Sequence, residues 1–125
     1  MNIPAELKYT TDHEWVKLDG STAVIGITDY AQGELGDIVY VELPGVDDEV
    51  EKGEAFGTIE AVKAVADLFC PLSGTVTEVN TDLEDAPETI NKDAYGDGWM
   101  IKIKLSDEAE VGDLMEASDY EAHVS

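Results

Sequence analysis

Short β-branched segments broken at close intervals by turn signals leave this 125-residue chain few folds to adopt. They describe strands that reverse onto their neighbours rather than a parallel sheet joined by long crossover helices. Trp15-Val16-Lys17-Leu18 and Thr22-Ala23-Val24-Ile25-Gly26-Ile27 flank Asp19-Gly20, whose residue types supply the backbone torsions of a tight hairpin turn. The clearest alternation runs from Trp99 to Leu105: Trp99, Ile101, Ile103 and Leu105 fall on one face, and Lys102 and Lys104 on the other. Ile38–Leu43, Ala55–Glu60, Val65–Phe69 and Thr75–Val79 read as further strands, with Pro44-Gly45, Val50–Gly53 and Pro71–Gly74 as turns between them.

Helical signals are confined to the margins. Asp29 is placed to cap a short helix, with Gln32 returning the hydrogen bond and Gly33 and Gly36 limiting its length. Asn80 to Gly98 is polar and reads as a long loop with a helical turn near Pro87-Glu88. At the end of the chain Val111, Leu114, Met115, Ser118 and Ala122 share a helical stripe, with Ser106 positioned as cap and Asp107, Glu108 and Glu110 near the positive helix end. The expected architecture is a mostly β barrel or sandwich with short peripheral helices and a C-terminal helix, forming one domain over residues 1–125. Gly36-Asp37-Ile38-Val39 and Gly74-Thr75-Val76-Thr77 echo each other, each opening a strand after a turn, which suggests two similar halves.

Charge narrows the functions. With 29 acidic residues against 7 lysines, the formal net charge is −22. Phosphate backbones need clustered Lys and Arg, so nucleic acid is excluded as a partner. The charge favours a soluble monomer that is steered toward basic patches on other proteins, although adaptation to a salty cytoplasm enriches acidic surface in the same way. No apolar run reaches the roughly 18 residues of a membrane helix. The amino end, Met1 to Leu7, shows neither a secretory signal nor an arginine-rich presequence. The expected compartment is the cytoplasm, or the mitochondrion if a presequence has been removed. Cys70 is the only cysteine and reads as a small buried residue; it supports neither a disulfide nor a thiolate metal cluster. His13 and His123 lie far apart in sequence, supporting surface or core roles rather than a metal site or a catalytic pair, and the tryptophans Trp15 and Trp99 read as core anchors.

Between two of the strands sits Ala61-Val62-Lys63-Ala64, which puts Lys63 at or near a hairpin tip. Taken alone, a lysine there is an ordinary solvated turn residue. Its surroundings change that reading. Glu60-Ala61-Val62-Lys63-Ala64, followed by Asp67 and Pro71-Leu72-Ser73-Gly74, resembles the attachment segment of lipoyl carrier domains. Along the rest of the chain, Tyr9-Thr10 with His13-Glu14-Trp15, Gly26–Gln32, Leu35–Val39, Leu43-Pro44, Asn91, Tyr95 and Gly98-Trp99-Met100 occur in the order seen in the glycine cleavage H-protein family, and the resemblance covers nearly all residues. The chain departs from it at Ala61, where the family commonly has Ser or Thr, and at Cys70, often a small or polar residue.

The resemblance implies a barrel-sandwich hybrid of the lipoyl/biotinyl carrier type, with lipoic acid attached through an amide to Lys63. It implies a non-catalytic shuttle that takes the aminomethyl group of glycine from the pyridoxal-phosphate decarboxylase (P protein) to the tetrahydrofolate-dependent aminomethyltransferase (T protein). The flavin-containing dihydrolipoamide dehydrogenase (L protein) then restores the disulfide, and a lipoylating enzyme makes the attachment. It also implies that Glu14 and Asp67 lie near the stored arm. Three other readings stay open from the sequence. A biotin carrier normally has methionine on both sides of its lysine, where Val62 and Ala64 stand here. A lipoyl domain of a 2-oxo acid dehydrogenase is usually followed by a linker and a catalytic domain. A lipoyl-relay protein of the same shape would donate lipoate to other carriers. An enzyme with its own active site finds no support, since the sequence shows no nucleophile–base pair, phosphate loop or metal cluster.

Overall fold

The computed structural model describes residues 3–124. Met1, Asn2 and Ser125, which belong to the sequence reading of the chain ends, lie outside the described residues. The strands are β1 (Lys8–Tyr9), β2 (Glu14–Asp19), β3 (Thr22–Ile27), β4 (Ile38–Glu42), β5 (Glu49–Val50), β6 (Ala55–Ala61), β7 (Val65–Phe69), β8 (Gly74–Val79) and β9 (Ile101–Leu105). Helix α1 (Asp29–Leu35) follows β3; the one-turn helices α2 (Asp82–Asp85) and α3 (Thr89–Lys92) precede β9; and α4 (Ala117–Val124) ends the described chain.

All pairing is antiparallel. A six-stranded sheet runs β1-β2-β3-β9-β8-β5, and a three-stranded sheet runs β4-β6-β7. Side chains from both sheets meet in one core: Val16, Ile25, Val76, Ile101 and Ile103 from the larger sheet and Ile38, Val41, Ile59 and Leu68 from the smaller, all buried. The strand period explains the division of labour in β2. Val16 points into that core, while its neighbour Trp15 points to the opposite face, joining Leu7, Tyr9 and Tyr120 in a second buried cluster. Helix α4 closes this outer face by inserting Tyr120, fully buried and stacked on Tyr9 with ring centroids 4.8 Å apart.

Several expectations shift in detail. The cap of α1 is Thr28, whose Oγ1 accepts from the Ala31 N–H at 3.1 Å, and Asp29 is the first helical residue, bonded by Gln32 Nε2 at 2.7 Å. Gly33 lies inside that helix, and Gly36 alone ends it. The long polar loop is correct only in part, because buried Leu83 and Ile90 fold it into α2 and α3. Strand β9 begins at Ile101. Trp99 precedes it, half-buried against the outer cluster with Lys102 Nζ 5.0 Å from its ring, so it is not an inward residue of the strand. The single C-terminal helix is two pieces. A 3-10 turn, Glu108–Asp113, is capped by Asp107 rather than Ser106, and α4 starts only after Met115 has exchanged backbone hydrogen bonds with Tyr9. Those bonds hold Met115 extended and interrupt the helical stripe. The two short echoes open β4 and β8, strands of opposite sheets.

Gly57 lets β6 pass close to β4, since a Cβ there would overlap the Glu42 carbonyl oxygen. Because the obstacle is backbone, Gly57→Ala should lower unfolding stability by on the order of 3 kcal/mol. Urea denaturation checks this, and a change within about 0.5 kcal/mol would contradict such a close approach.

Candidate functional site

Lys63 stands at the tip between β6 and β7, exposed as its neighbours Val62 and Ala64 are. The tip is held by backbone rather than side chains. Ala61 N–H donates to the Ala64 carbonyl at 2.8 Å, and Val62 N–H donates to the Asp37 carbonyl at 2.9 Å. Gly36 lies beneath the lysine stem. It adopts φ of 82°, open to glycine, and a methyl there would stand 3.4 Å from Lys63 Cδ and Cε. Asn91, from α3, ties this support together: its Oδ1 accepts from Ile38 N–H at 2.9 Å and its Nδ2 donates to Gly36 O at 2.9 Å and Gln32 Oε1 at 2.8 Å. Among the described residues no ion pair engages the lysine amine, which stands at the end of a rigid mount. Val39, Tyr40, Val62 and Val65 expose apolar surface around it, an unusual skin on so acidic a protein.

A cleft of about 170 Å³ lies between α1 and β7, lined on one side by Ala31, Glu34 and Leu35 and on the other by Ala66 and Asp67. Leu35 immediately precedes Gly36, against which the Lys63 stem rests. Asp67 is exposed at its edge, four residues from Lys63 and therefore at most about 14 Å from it along the chain. Glu14, the first residue of β2, forms part of the lining, is 3% exposed, and also borders a second cavity of about 160 Å³ beside Cys70 and Lys52. The structure therefore brings Glu14 and Asp67 to one cleft, with Asp67 on the strand that follows the Lys63 tip.

Burial dominates the chemistry of Glu14. Removal from water pushes its carboxyl up to about 7; the nearby charge of Asp12 pushes the same way, while hydrogen bonds from Thr10 and the Phe69 backbone oppose it. Thr10 Oγ1 lies 2.6 Å from Glu14 Oε1 and itself accepts the N–H groups of Asp12 and Glu14 at 3.2 Å each. Near neutrality Glu14 is poised between its two forms, and an arriving cation would favour the charged one. Cys70 behaves as expected of a small core residue: it is 2% exposed, and burial pushes its thiol up to about 12, away from nucleophilic use.

His13 and His123, far apart in sequence, are brought together, with ring centroids 5.7 Å apart beside Tyr120 and Tyr30. Among the described residues no group of three potential ligands gathers to hold a metal. Sequence reasoning missed the supporting roles of Gly36, Asn91, Thr10 and Tyr120. The Asn91 and Gly36 roles depend on contacts across more than fifty residues, which no local pattern reveals.

Known proteins share this sequence pattern and fold. The family model described as Glycine cleavage H-protein matches residues 7–125. A glycine cleavage system H protein of Staphylococcus haemolyticus is 56% identical over 120 residues, covering 96% of this chain and 95% of that protein. One from Anaeromyxobacter sp. strain K is 57% identical over 124 residues, covering 99% and 97%. The crystal structure of a glycine cleavage system H protein from Mycobacterium marinum superposes with a TM-score of 0.88 at 41% identity, covering 96% of this chain and 97% of that one. A family model that matches nearly the whole chain, relatives more than half identical over nearly their full length and a matched fold converge on one assignment: the chain belongs to the glycine cleavage H-protein family, the carrier component of glycine cleavage.

Proposed function

We propose that Lys63 bears lipoic acid in amide linkage and that the cleft beside it shelters the arm's far end between visits to partner enzymes. The observation that supports this reading is an exposed lysine on a backbone-braced tip, with its stem against Gly36 and a cleft that holds Glu14 and Asp67 between the neighbouring elements α1 and β7. When bound, the group supplies a disulfide on an arm roughly 14 Å long, which takes up the aminomethyl group of glycine. The lining suits such a guest, with apolar Ala31, Leu35 and Ala66 for the chain and carboxylates for a cationic amine.

In this reading the protein catalyses no step. Gly36 and Asn91 keep the attachment point fixed, Glu14 and Asp67 hold the amine's proton in place, and the apolar walls limit water. The partners are the pyridoxal-phosphate decarboxylase, the tetrahydrofolate-dependent aminomethyltransferase, dihydrolipoamide dehydrogenase and the lipoylating enzyme. The test is exchange of the glycine carboxyl group with bicarbonate by purified decarboxylase. Lipoylated protein should support it and the unlipoylated protein should not; equal exchange by both would overturn the reading. Asp67→Ala should accelerate ammonia release from the loaded carrier about two- to fivefold, the range for one exposed charge pair. An unchanged lifetime would remove Asp67 from the cleft's function.

A further inference from the structure

A buried hydrogen-bond chain leads from the C-terminal helix to the cleft. Thr28 and Tyr120 are both fully buried; their hydroxyls lie 2.7 Å apart, and Tyr120 Oη lies 2.9 Å from His13 Nδ1. His13 also lines the cleft next to Glu14. Its backbone φ of 71° is a left-handed conformation that few non-glycine residues adopt, histidine more often than most, and that local hydrogen bonds can hold in place. Here they do: Thr28 N–H donates to the His13 carbonyl at 3.0 Å, His13 N–H donates to the Thr10 carbonyl at 3.2 Å, and Tyr120 grips the ring.

The direction of the chain follows from counting donors. Thr28 Oγ1 already accepts the Ala31 N–H, so its own hydrogen needs an acceptor, and among the described residues Tyr120 Oη is the one within reach. Having accepted, Tyr120 turns its hydrogen to His13 Nδ1. Nδ1 is then the lone-pair nitrogen and the ring proton sits on Nε2. Run in reverse, the chain would strand the Thr28 hydrogen in a dry interior.

We propose that Tyr120 fixes His13 as a neutral imidazole protonated on Nε2, whose single lone pair is occupied, so that this wall of the cleft offers a donor and no base. An aminomethyl cargo remains on its carrier while its amine keeps its proton; a vacant imidazole lone pair beside it would remove that proton, and the freed nitrogen lone pair would then break the carbon–sulfur bond, leaving the sulfur as thiolate and an iminium that water hydrolyses to ammonia and formaldehyde. The C-terminal helix thereby makes His13 a silenced base, and Tyr120 is a positioning residue. The effect on cargo rests on the reading above of Lys63 and the cleft; the state of the ring does not. The groups facing His13 are Asp12 and Glu14 on its own segment, Tyr30 and Glu34 from α1, Asp67 across the cleft, and Tyr120 and His123 from α4. Burial first, then His123, hold its pKa below the ordinary histidine value against the opposing pull of Asp12 and Glu34, consistent with a neutral ring.

Nitrogen–proton correlation NMR of the full unloaded chain, with His123→Gln used to assign the two rings, reads the protonated nitrogen directly. The expected spectrum shows His13 protonated on Nε2 and titrating below ordinary histidine. In Tyr120→Phe its midpoint should rise by about half a pH unit or more. In loaded Tyr120→Phe, ammonia release should quicken with a pH dependence that follows the new midpoint. A proton on Nδ1 in the unaltered protein overturns the proposal without any variant, even if Tyr120→Phe does not fold. An unmoved midpoint in a folded Tyr120→Phe also overturns it, as does a moved midpoint with an unchanged loaded lifetime. Since the NMR measurements need no lipoyl group, failure there is distinct from failure of the Lys63 assignment.

Discussion

Lys63→Arg should fold as the unaltered protein does and reduce reconstituted glycine cleavage to background. The fold is indifferent to this side chain because the tip is tied by the Ala61–Ala64 and Val62–Asp37 backbone hydrogen bonds. Nor does the Lys63 ammonium join any ion pair among the described residues. An exposed substitution of this kind changes stability by about 0.5 kcal/mol at most. Charge and approximate length are retained, so partner docking that needs only a cation at the tip would survive. What disappears is the primary amine that forms the amide. Guanidinium is a poor acyl acceptor and stays protonated. Circular dichroism and thermal melting establish folding, and the exchange assay then reads function. Activity persisting in a folded Lys63→Arg would mean that the arm is attached elsewhere.

The second large effect concerns Glu14. Its carboxyl titrates near 7 in the folded chain against an ordinary value of 4.5, so between those limits the folded state binds more protons than the unfolded state. Stability from this group is therefore fully present below about pH 4.5, falls as pH rises toward 7, and is level above that. Glu14→Gln keeps the shape and removes the charge. It should match the unaltered protein near pH 4.5 and exceed it at pH 8 by on the order of 3 kcal/mol. Urea unfolding at both pH values provides the comparison. The many other carboxylates titrate in both proteins and cancel in the difference. An equal stability difference at the two pH values would show that packing, not buried charge, separates them. A carboxyl retained at such a cost fits a site that becomes favourable only when a cation is stored against it.

The elements that the sequence made legible are those whose cause is local. Alternation over Ile101–Leu105 matched the buried and the more exposed residues of β9, because a half-buried strand writes its period into its residues, and Val65–Phe69, read as an extended stretch, matched β7 at both ends. The tip at Lys63 was legible as the gap between two extended stretches. Long-range partners explain the misses. Met115 is held extended by Tyr9, more than a hundred residues away, and this breaks a stripe that by period alone reads as one helix. Strand β5 is two residues long, and its pairing with Gly74-Thr75 leaves no pattern of its own. His13 and His123 looked unrelated because only packing of α4 against the outer sheet face brings them together. The lysine could be located from residue pattern; its identity as an attachment point required the resemblance, since one exposed lysine carries little information by itself.

The most direct test is mass measurement after the purified chain has been incubated with a lipoylating enzyme, lipoate and ATP. A single lipoyl adduct should form on the intact protein and map, after digestion, to the peptide containing Lys63, with none on Lys63→Arg. An unmodified Lys63 under conditions that lipoylate a known carrier, or an adduct on a different lysine, would contradict the account.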